Sequence, residues 1–336
     1  MSFMSIKAWS CSVLLSILGI TVASSAVVAD TEPYRSKQTD KNTMILAQTI
    51  YEQARQELPE DWYAVYRIID RIARANQLDE RPWRVVLVQE YDINAFATEV
   101  NLIALYSGLM DQLAGDSSAI ACVIGHEMAH HVSRHIAASE AERVRLTAEI
   151  QDQARQEIEA EIEDAQGDAR DSRIGAGVLD AFGIGIGSGI LRNNARKREA
   201  EANQRIQEII DLKQAELEAR LLEQNRTNEF EADQLGYTYV ARAGFEPEGC
   251  FRTMEVLART QGAEFDTTHP AVPKRIEALE TLLKENPPEE LELQGNSRIS
   301  ASQPLTYDLS EDKVSLRINS VRGGSAADDL ERLFGQ

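Results

Sequence analysis

Apolar positions recur at helical spacing on both sides of Pro59. Ile45, Ile50, Ala54 and Leu58 precede it, and Tyr63, Tyr66, Ile69, Ile72 and Ala73 follow it. The pattern predicts helix from Asp40 to Asn76, interrupted at the proline. Trp83 to Val88 is a short β-branched run and reads as a strand. Asn94-Ala95-Phe96-Ala97 leads into a second strand over Asn101 to Ser107, stopped by Gly108. Gly115-Asp116-Ser117 is a helix-start signal. The helix expected after it, Ala119 to Ala138, is apolar on nearly every side in its first two turns, which marks it as central and buried.

From Ser139 the character changes. Charged residues dominate as far as Arg173, with Val144, Ile150, Ala154, Ile158 and Ile162 as a thin apolar stripe. A second stripe of Ala202, Ile206, Ile209, Leu217 and Leu221 runs through Arg192 to Asn228. Between them lies a Gly-rich apolar segment, 174–191. The spacing predicts two long helices joined by an apolar tip, either an antiparallel hairpin or solvated helices covering the core. The glycines at 183, 185 and 187 do not make a nucleotide loop, because no strand precedes them and nothing basic follows closely. Helices are expected again over 228–242, 247–259 and 273–283. Residues 285–336 read as an appended tail with a hairpin around Ser310-Glu311-Asp312. The fold class is therefore α+β, mainly helical, with a small sheet beside the 119–138 helix.

Charge narrows the function. With 35 Lys and Arg against 55 Asp and Glu, the net charge is −20, which disfavours nucleic acid as a partner. Residues 1–29 read as a secretory signal. Lys7 is its basic end, Val13 to Ile20 its apolar stretch, and Val27-Val28-Ala29 its small-residue cleavage site. The other reading is an uncleaved anchor; either way the body of the chain is exported. Export leaves a bridge between Cys122 and Cys250 open, but both fall in helix-like stretches, which favours two small buried apolar residues.

Four of the five histidines lie between 126 and 135. In Gly125-His126-Glu127-Met128-Ala129-His130, His126 and His130 sit one helical turn apart, so both rings can aim a nitrogen at one ion. Zinc there lowers the pKa of water to about 7 and polarises a carbonyl, and Glu127 is placed to take the proton. A catalytic zinc site needs a third protein ligand and an open position. Downstream, Glu229 and Asp233 are again one turn apart. One can bind the metal while the other orients a ligand, with Asp233 accepting the free N–H of a histidine ring. Glu231 points elsewhere on that helix. His131 and His135 lie about 100° around the helix from the first pair and are expected to pack or hydrogen-bond. His269 occupies a loop-to-helix junction, suited either to projecting into a cleft or to a local structural role.

These residues resemble the gluzincin zinc metallopeptidases that include HtpX, BepA and the CAAX prenyl protease. The likeness covers about 60–284. It rests on Asn94 to Ala97, Gly108-Leu109-Met110, Gly125 to His130 with Arg134-His135, Glu229 to Asp233, Gly244-Phe245-Glu246-Pro247, and Thr268-His269-Pro270 with Arg275. The resemblance implies a metallopeptidase domain over 30–284 holding one Zn2+ by His126, His130 and Glu229. Glu127 is then the general base and Asp233 the outer partner of a ligand. His269 either stabilises the oxyanion or occupies the metal's open position and holds the enzyme latent. Arg275 supports the His269 loop or the cleft. A peptide is expected along the strand Asn101, Leu102, Ile103, Ala104 and Leu105. The departures are Thr98-Glu99-Val100, where the family has a glycine-containing turn, and the 139–228 insertion. The implied setting is the periplasm, with quality control of envelope or outer-membrane proteins. Its substrates are unfolded or misassembled polypeptides, and 174–191 contacts a membrane or an envelope partner. The rival reading is a chaperone or scaffold with a silent or His269-gated metal site.

Overall fold

The computed structural model describes residues 48–98, 100–167, 196–260 and 271–335. The expected signal 1–29, the tip 174–191 and His269 lie outside the described residues. The helices are α1 (48–57), α2 (Glu60–Ala75), α3 (Ser107–Gln112), α4 (Ser117–Val132), α5 (His135–Gly167), α6 (Arg196–Arg242), α7 (Glu248–Leu257), α8 (Val272–Glu285), α9 (Pro288–Ala301) and α10 (Ala326–Phe334). The strands are β1 (Trp83–Val88), β2 (Ala95–Ala97), β3 (Leu102–Tyr106), β4 (Tyr307–Leu309) and β5 (Ser315–Ile318).

The strands form one five-stranded sheet in the order β2-β3-β1-β5-β4. β1 and β3 run parallel, with Val85 opposite Ile103, and the other pairings are antiparallel. β3 is therefore interior, its two edges taken by β1 and β2. This corrects the expectation that a peptide adds along Asn101 to Leu105, since no main-chain edge is free there. The edge strand on this side of the sheet is β2. Residues 94 and 98 spend main-chain groups on β3, through Tyr106 N–H to Asn94 O and Thr98 N–H to Leu102 O. By strand alternation, the groups of Ala95 and Ala97 face outward.

Residues 285–336 are built into this sheet. The expected hairpin is β4–β5, and β5 pairs with β1 by setting Trp83 opposite Ile318. Leu305, Leu316 and Ile318 are buried with Ile68, Ile69 and Ile72 of α2. Short alternating strands so late in the chain look peripheral in sequence, and only the pairing with β1 makes them core.

The helix α4 is central, as its all-round apolar face requires. Ala119, Ala121, Ile124, Met128 and Ala129 are buried. The Asp116 carboxylate caps its start by accepting from Ala119 N–H at 2.9 Å. α4 ends at Val132, six residues before the expected terminus at Ala138. Arg134 has φ +57°, and this left-handed residue turns the chain so that α5 starts afresh at His135. His131 and His135 thus belong to different helices.

The helices α5 and α6 pack side by side, antiparallel. Leu146, Ile150, Ala154 and Ile158 on α5 and Ile206 and Ile210 on α6 are buried. Arg220 pairs with Glu149 at 3.2 Å and Lys213 with Glu157 at 2.9 Å. These exposed pairs align the helices more than they stabilise them. α6 has no proline and runs unbroken for 47 residues, so the expected separate helix at 228–242 is its last third. The arm and the third-ligand motif are one rigid element.

The cysteines correct a further expectation. Cys122 and Cys250 form a disulfide joining α4 to α7 across 128 residues, with 5.2 Å between Cα atoms. Helical context made burial easy to read and said nothing about which two thiols meet.

Candidate metal centre

The crossing of α4 and α6 makes the site. Gly125 and Gly236 meet there. A Cβ on Gly236 would lie 3.0 Å from the His126 backbone nitrogen, and one on Gly125 would lie 3.2 Å from Gly236 O. Two glycines let the backbones touch, which brings Glu229 and Asp233, two turns and one turn earlier on α6, up to His126 and His130. Sequence reasoning quoted Gly125 only within the histidine motif and missed Gly236. A glycine inside each otherwise helical stretch was the available signal.

His126 Nε2 lies 3.1 Å from His130 Nε2 and 3.5 Å from Glu229 Oε2. His130 Nε2 lies 3.3 Å from Glu229 Oε1. These three residues are the one group with metal-ligand character among the described residues. A tetrahedral zinc ion with bonds of about 2.0–2.1 Å separates its ligand atoms by roughly 3.3 Å, which is the spacing found here. The donor set also fits. His126 Nδ1 is 3.0 Å from Asp233 Oδ1, an acceptor only, so Nδ1 carries the proton and Nε2 faces the group as a lone pair. A ring lone pair and a carboxylate converging without a donor call for a cation.

The carboxylates around the ring favour positive charge there, whether an ion or a proton. Burial acts to lower the pKa of the His126 ring, but Asp233 and Glu229 outweigh it and push it up to about 10. Burial raises the Glu127 carboxyl, against the opposing charges of His126 and His130. Asp233 is buried, which alone would raise its pKa, yet the Arg275 guanidinium and His126 hold it below the usual carboxylate range. Arg275 grips Asp233 through Nε and a terminal nitrogen, both at 2.7 Å, and its other terminal nitrogen is 3.7 Å from Glu229. Arg275 therefore reaches the metal group through Asp233, where the sequence suggested support of the His269 loop or of the cleft.

The other two histidines have the packing and hydrogen-bonding places expected of them. His131 Nδ1 is 3.1 Å from Thr98 O, and its ring meets Trp83 edge-on. His135 Nδ1 is 3.0 Å from His130 Nδ1, and its Nε2 is 3.4 Å from Glu231. That contact exists because the chain breaks at Arg134. No helical-wheel argument on 119–138 could have placed it.

The family model for peptidase family M48 matches residues 60–283. A mitochondrial metalloendopeptidase OMA1 from Arabidopsis thaliana is 36% identical over 84 residues, 24% of this chain and 17% of that protein. The "Putative beta-barrel assembly-enhancing protease" of Vibrio cholerae is 38% identical over 74 residues, 22% of this chain and 15% of that protein. OMA1 from Schizosaccharomyces pombe is 22% identical over 230 residues, 66% of this chain and 52% of that protein. The chain thus spans about half or less of the length of the curated relatives it matches. No solved structure matches significantly. With two thirds of its length matched in order and the His126-His130-Glu229 group assembled within that span, the chain belongs to peptidase family M48.

Proposed function

We propose that this chain is a zinc-dependent endopeptidase with one Zn2+ per chain, acting on unfolded or misassembled exported polypeptides. The observation that carries the reading is the convergence of His126, His130 and Glu229 at tetrahedral spacing beside a buried carboxylate, Glu127. A structural site needs no such base. When bound, the ion supplies Lewis acidity toward the scissile carbonyl and toward water.

Glu127 takes the proton of the attacking water and hands it to the departing amine nitrogen. Its upward-shifted pKa suits a group that must both accept and release a proton near neutral pH. Asp233 holds the His126 ring in the tautomer that presents Nε2, and Arg275 keeps Asp233 charged. The substrate main chain adds to the outer edge of β2 at Ala95 and Ala97. His269 is the proposed oxyanion partner or the latch on the open position. His269→Ala separates the two, because activity falls in the first case and rises in the second.

The Cys122–Cys250 bridge supports an oxidising, exported location. No described helix is long and apolar enough to cross a membrane. The name of the Vibrio cholerae relative supports envelope quality control. The 174–191 segment is the proposed contact with a membrane or an envelope partner. The test is metal analysis with a casein cleavage assay on wild type and Glu127→Gln. Zinc content should stay equal while cleavage falls by roughly 10²–10⁴-fold. Unchanged cleavage would remove the mechanism.

A further inference from the structure

Beside the metal group, a cavity of about 440 Å³ runs from His130 to two arginines, Arg81 and Arg134. Three segments wall it: the residues before β1, the β2–β3 turn and the α4–α5 junction. Hydrogen bonds tie these walls together. Asn101 Nδ2 donates to Pro82 O at 2.8 Å, Arg84 N–H donates to Asn101 O at 2.9 Å, and His131 Nδ1 lies 3.1 Å from Thr98 O. The arginines therefore sit on a fixed frame.

Two features set this cavity apart. The chain carries 55 acidic residues against 35 basic ones. About half of its described arginines form ion pairs, as Arg145, Arg220, Arg252 and Arg275 do. Arg81 and Arg134 line one cavity, and neither forms an ion pair or a side-chain hydrogen bond with any described residue. Arg134 also has φ +57°, a backbone conformation in which glycine or asparagine is the easier choice. An arginine kept where a smaller residue would relieve strain points to a use for its charge.

We infer that Arg81 and Arg134 form a subsite for a carboxylate of the substrate, adjoining the scissile bond. The inference rests on the peptidase reading above. The guanidinium fork suits a carboxylate in paired, charge-assisted hydrogen bonds. Val132 and Ile136 give the methylenes of a side chain an apolar wall. The carboxylate is either an Asp or Glu side chain or the free C-terminus of a peptide. In a molecule of net charge −20, this cavity is a local exception that admits an acidic segment the rest of the surface repels.

The test uses one peptide frame carrying Glu or its neutral isostere Gln near the cleavage point, each made with a free or an amidated C-terminus. Cleavage is measured for wild type, Arg81→Gln, Arg134→Gln and the double variant. Binding of the labelled peptides to full-length Glu127→Gln, with and without the arginine changes, is measured by fluorescence anisotropy. Wild type should prefer a carboxylate by roughly tenfold or more in kcat/KM, expressed in KM, and bind it correspondingly tighter. The arginine variants should lose that preference while cleaving the neutral peptide with unchanged kcat. A Glu-over-Gln preference identifies the side chain as the source, and a free-acid-over-amide preference identifies the C-terminus.

Arg134→Gly guards against a folding defect. It relieves the left-handed strain, so its thermal midpoint should match or exceed that of wild type while selectivity is lost. Charge-blind binding and cleavage by wild type would overturn the subsite and leave the peptidase reading standing. A preference that survives the double variant would also overturn it. Charge-selective binding that depends on the arginines, with no cleavage by any form, would retain the subsite and remove the peptidase reading.

Discussion

Removing the Cys122–Cys250 bridge tests how the metal helix is held. The bridge closes 128 residues, a span that includes the whole α5–α6 arm and both Glu229 and Asp233. In the chain-entropy account, a loop of that length restricts the unfolded chain by about 5 kcal/mol at 25 °C. Domains of this kind are stable by only about 5–15 kcal/mol, so the bridge contributes a large share. Both cysteines are buried, and alanines there lose only the sulfur atoms from the core. Urea unfolding can be followed by the fluorescence of Trp62 and Trp83, which are both buried. Cys122→Ala/Cys250→Ala should unfold about 1–2 M earlier in urea than oxidised wild type. Reduced wild type should behave the same way. Because the effect acts on the unfolded chain, zinc content and cleavage without urea should be retained. A midpoint shift under about 0.3 M would refute the loop-entropy argument. Loss of zinc in the folded variant would show that the bridge shapes the site itself.

Two further changes probe the frame around the ion. Gly236→Ala puts a methyl 3.0 Å from the His126 nitrogen and 3.1 Å from its Cα, both backbone atoms that cannot rotate away. It should cost about 1–3 kcal/mol and weaken zinc roughly tenfold or more, read by competition with a chelating dye; unchanged affinity would remove the glycine crossing from the account. Asp116→Ala removes the cap of α4 and should cost about 1 kcal/mol at pH 7. The hydrogen bond from Arg252, helped by the cap bond to Ala119, outweighs burial and holds the Asp116 carboxyl below its ordinary value. Its stabilisation is therefore complete above an unfolded pKa of about 3.9 and fades as pH falls through the lower folded value. The gap between wild type and Asp116→Ala in urea midpoint should narrow as pH falls below the unfolded value, and a gap that stays constant there would contradict the sign.

What the sequence made legible was local. His126, Glu127 and His130 are readable because four residues make one helical turn, and Glu229 with Asp233 repeats the same geometry. The apolar surround of 119–132 identified the buried helix, and the paired stripes identified the arm. What escaped depends on pairing or on one backbone angle. Nothing in Tyr307 to Ile318 says that it lies against β1, so the sheet's second half was read as an appendage and β3 was mistaken for an edge. Nothing local in Cys122 or Cys250 names a partner. The helical pattern ran on past Val132 because Arg134 and His135 are ordinary helix residues, and no propensity marks an arginine for the left-handed region.

The missed features matter most near the ion. A histidine pair on one turn supplies two ligands whatever the fold does. The third must arrive from 99 residues away, and only the closest approach of two helices delivers it at about 3.3–3.5 Å. Gly125 and Gly236 permit that approach, Arg275 fixes the charge of Asp233, and the bridge ties α4 to α7. The same α4 then breaks at Arg134, so that the residue ending the metal helix is also the one facing the cavity beside it. Ion binding and selection of an acidic substrate would therefore share one structural element. Substitutions at 134 should change which peptides are cut without changing zinc affinity, whereas substitutions at 236 should do the reverse.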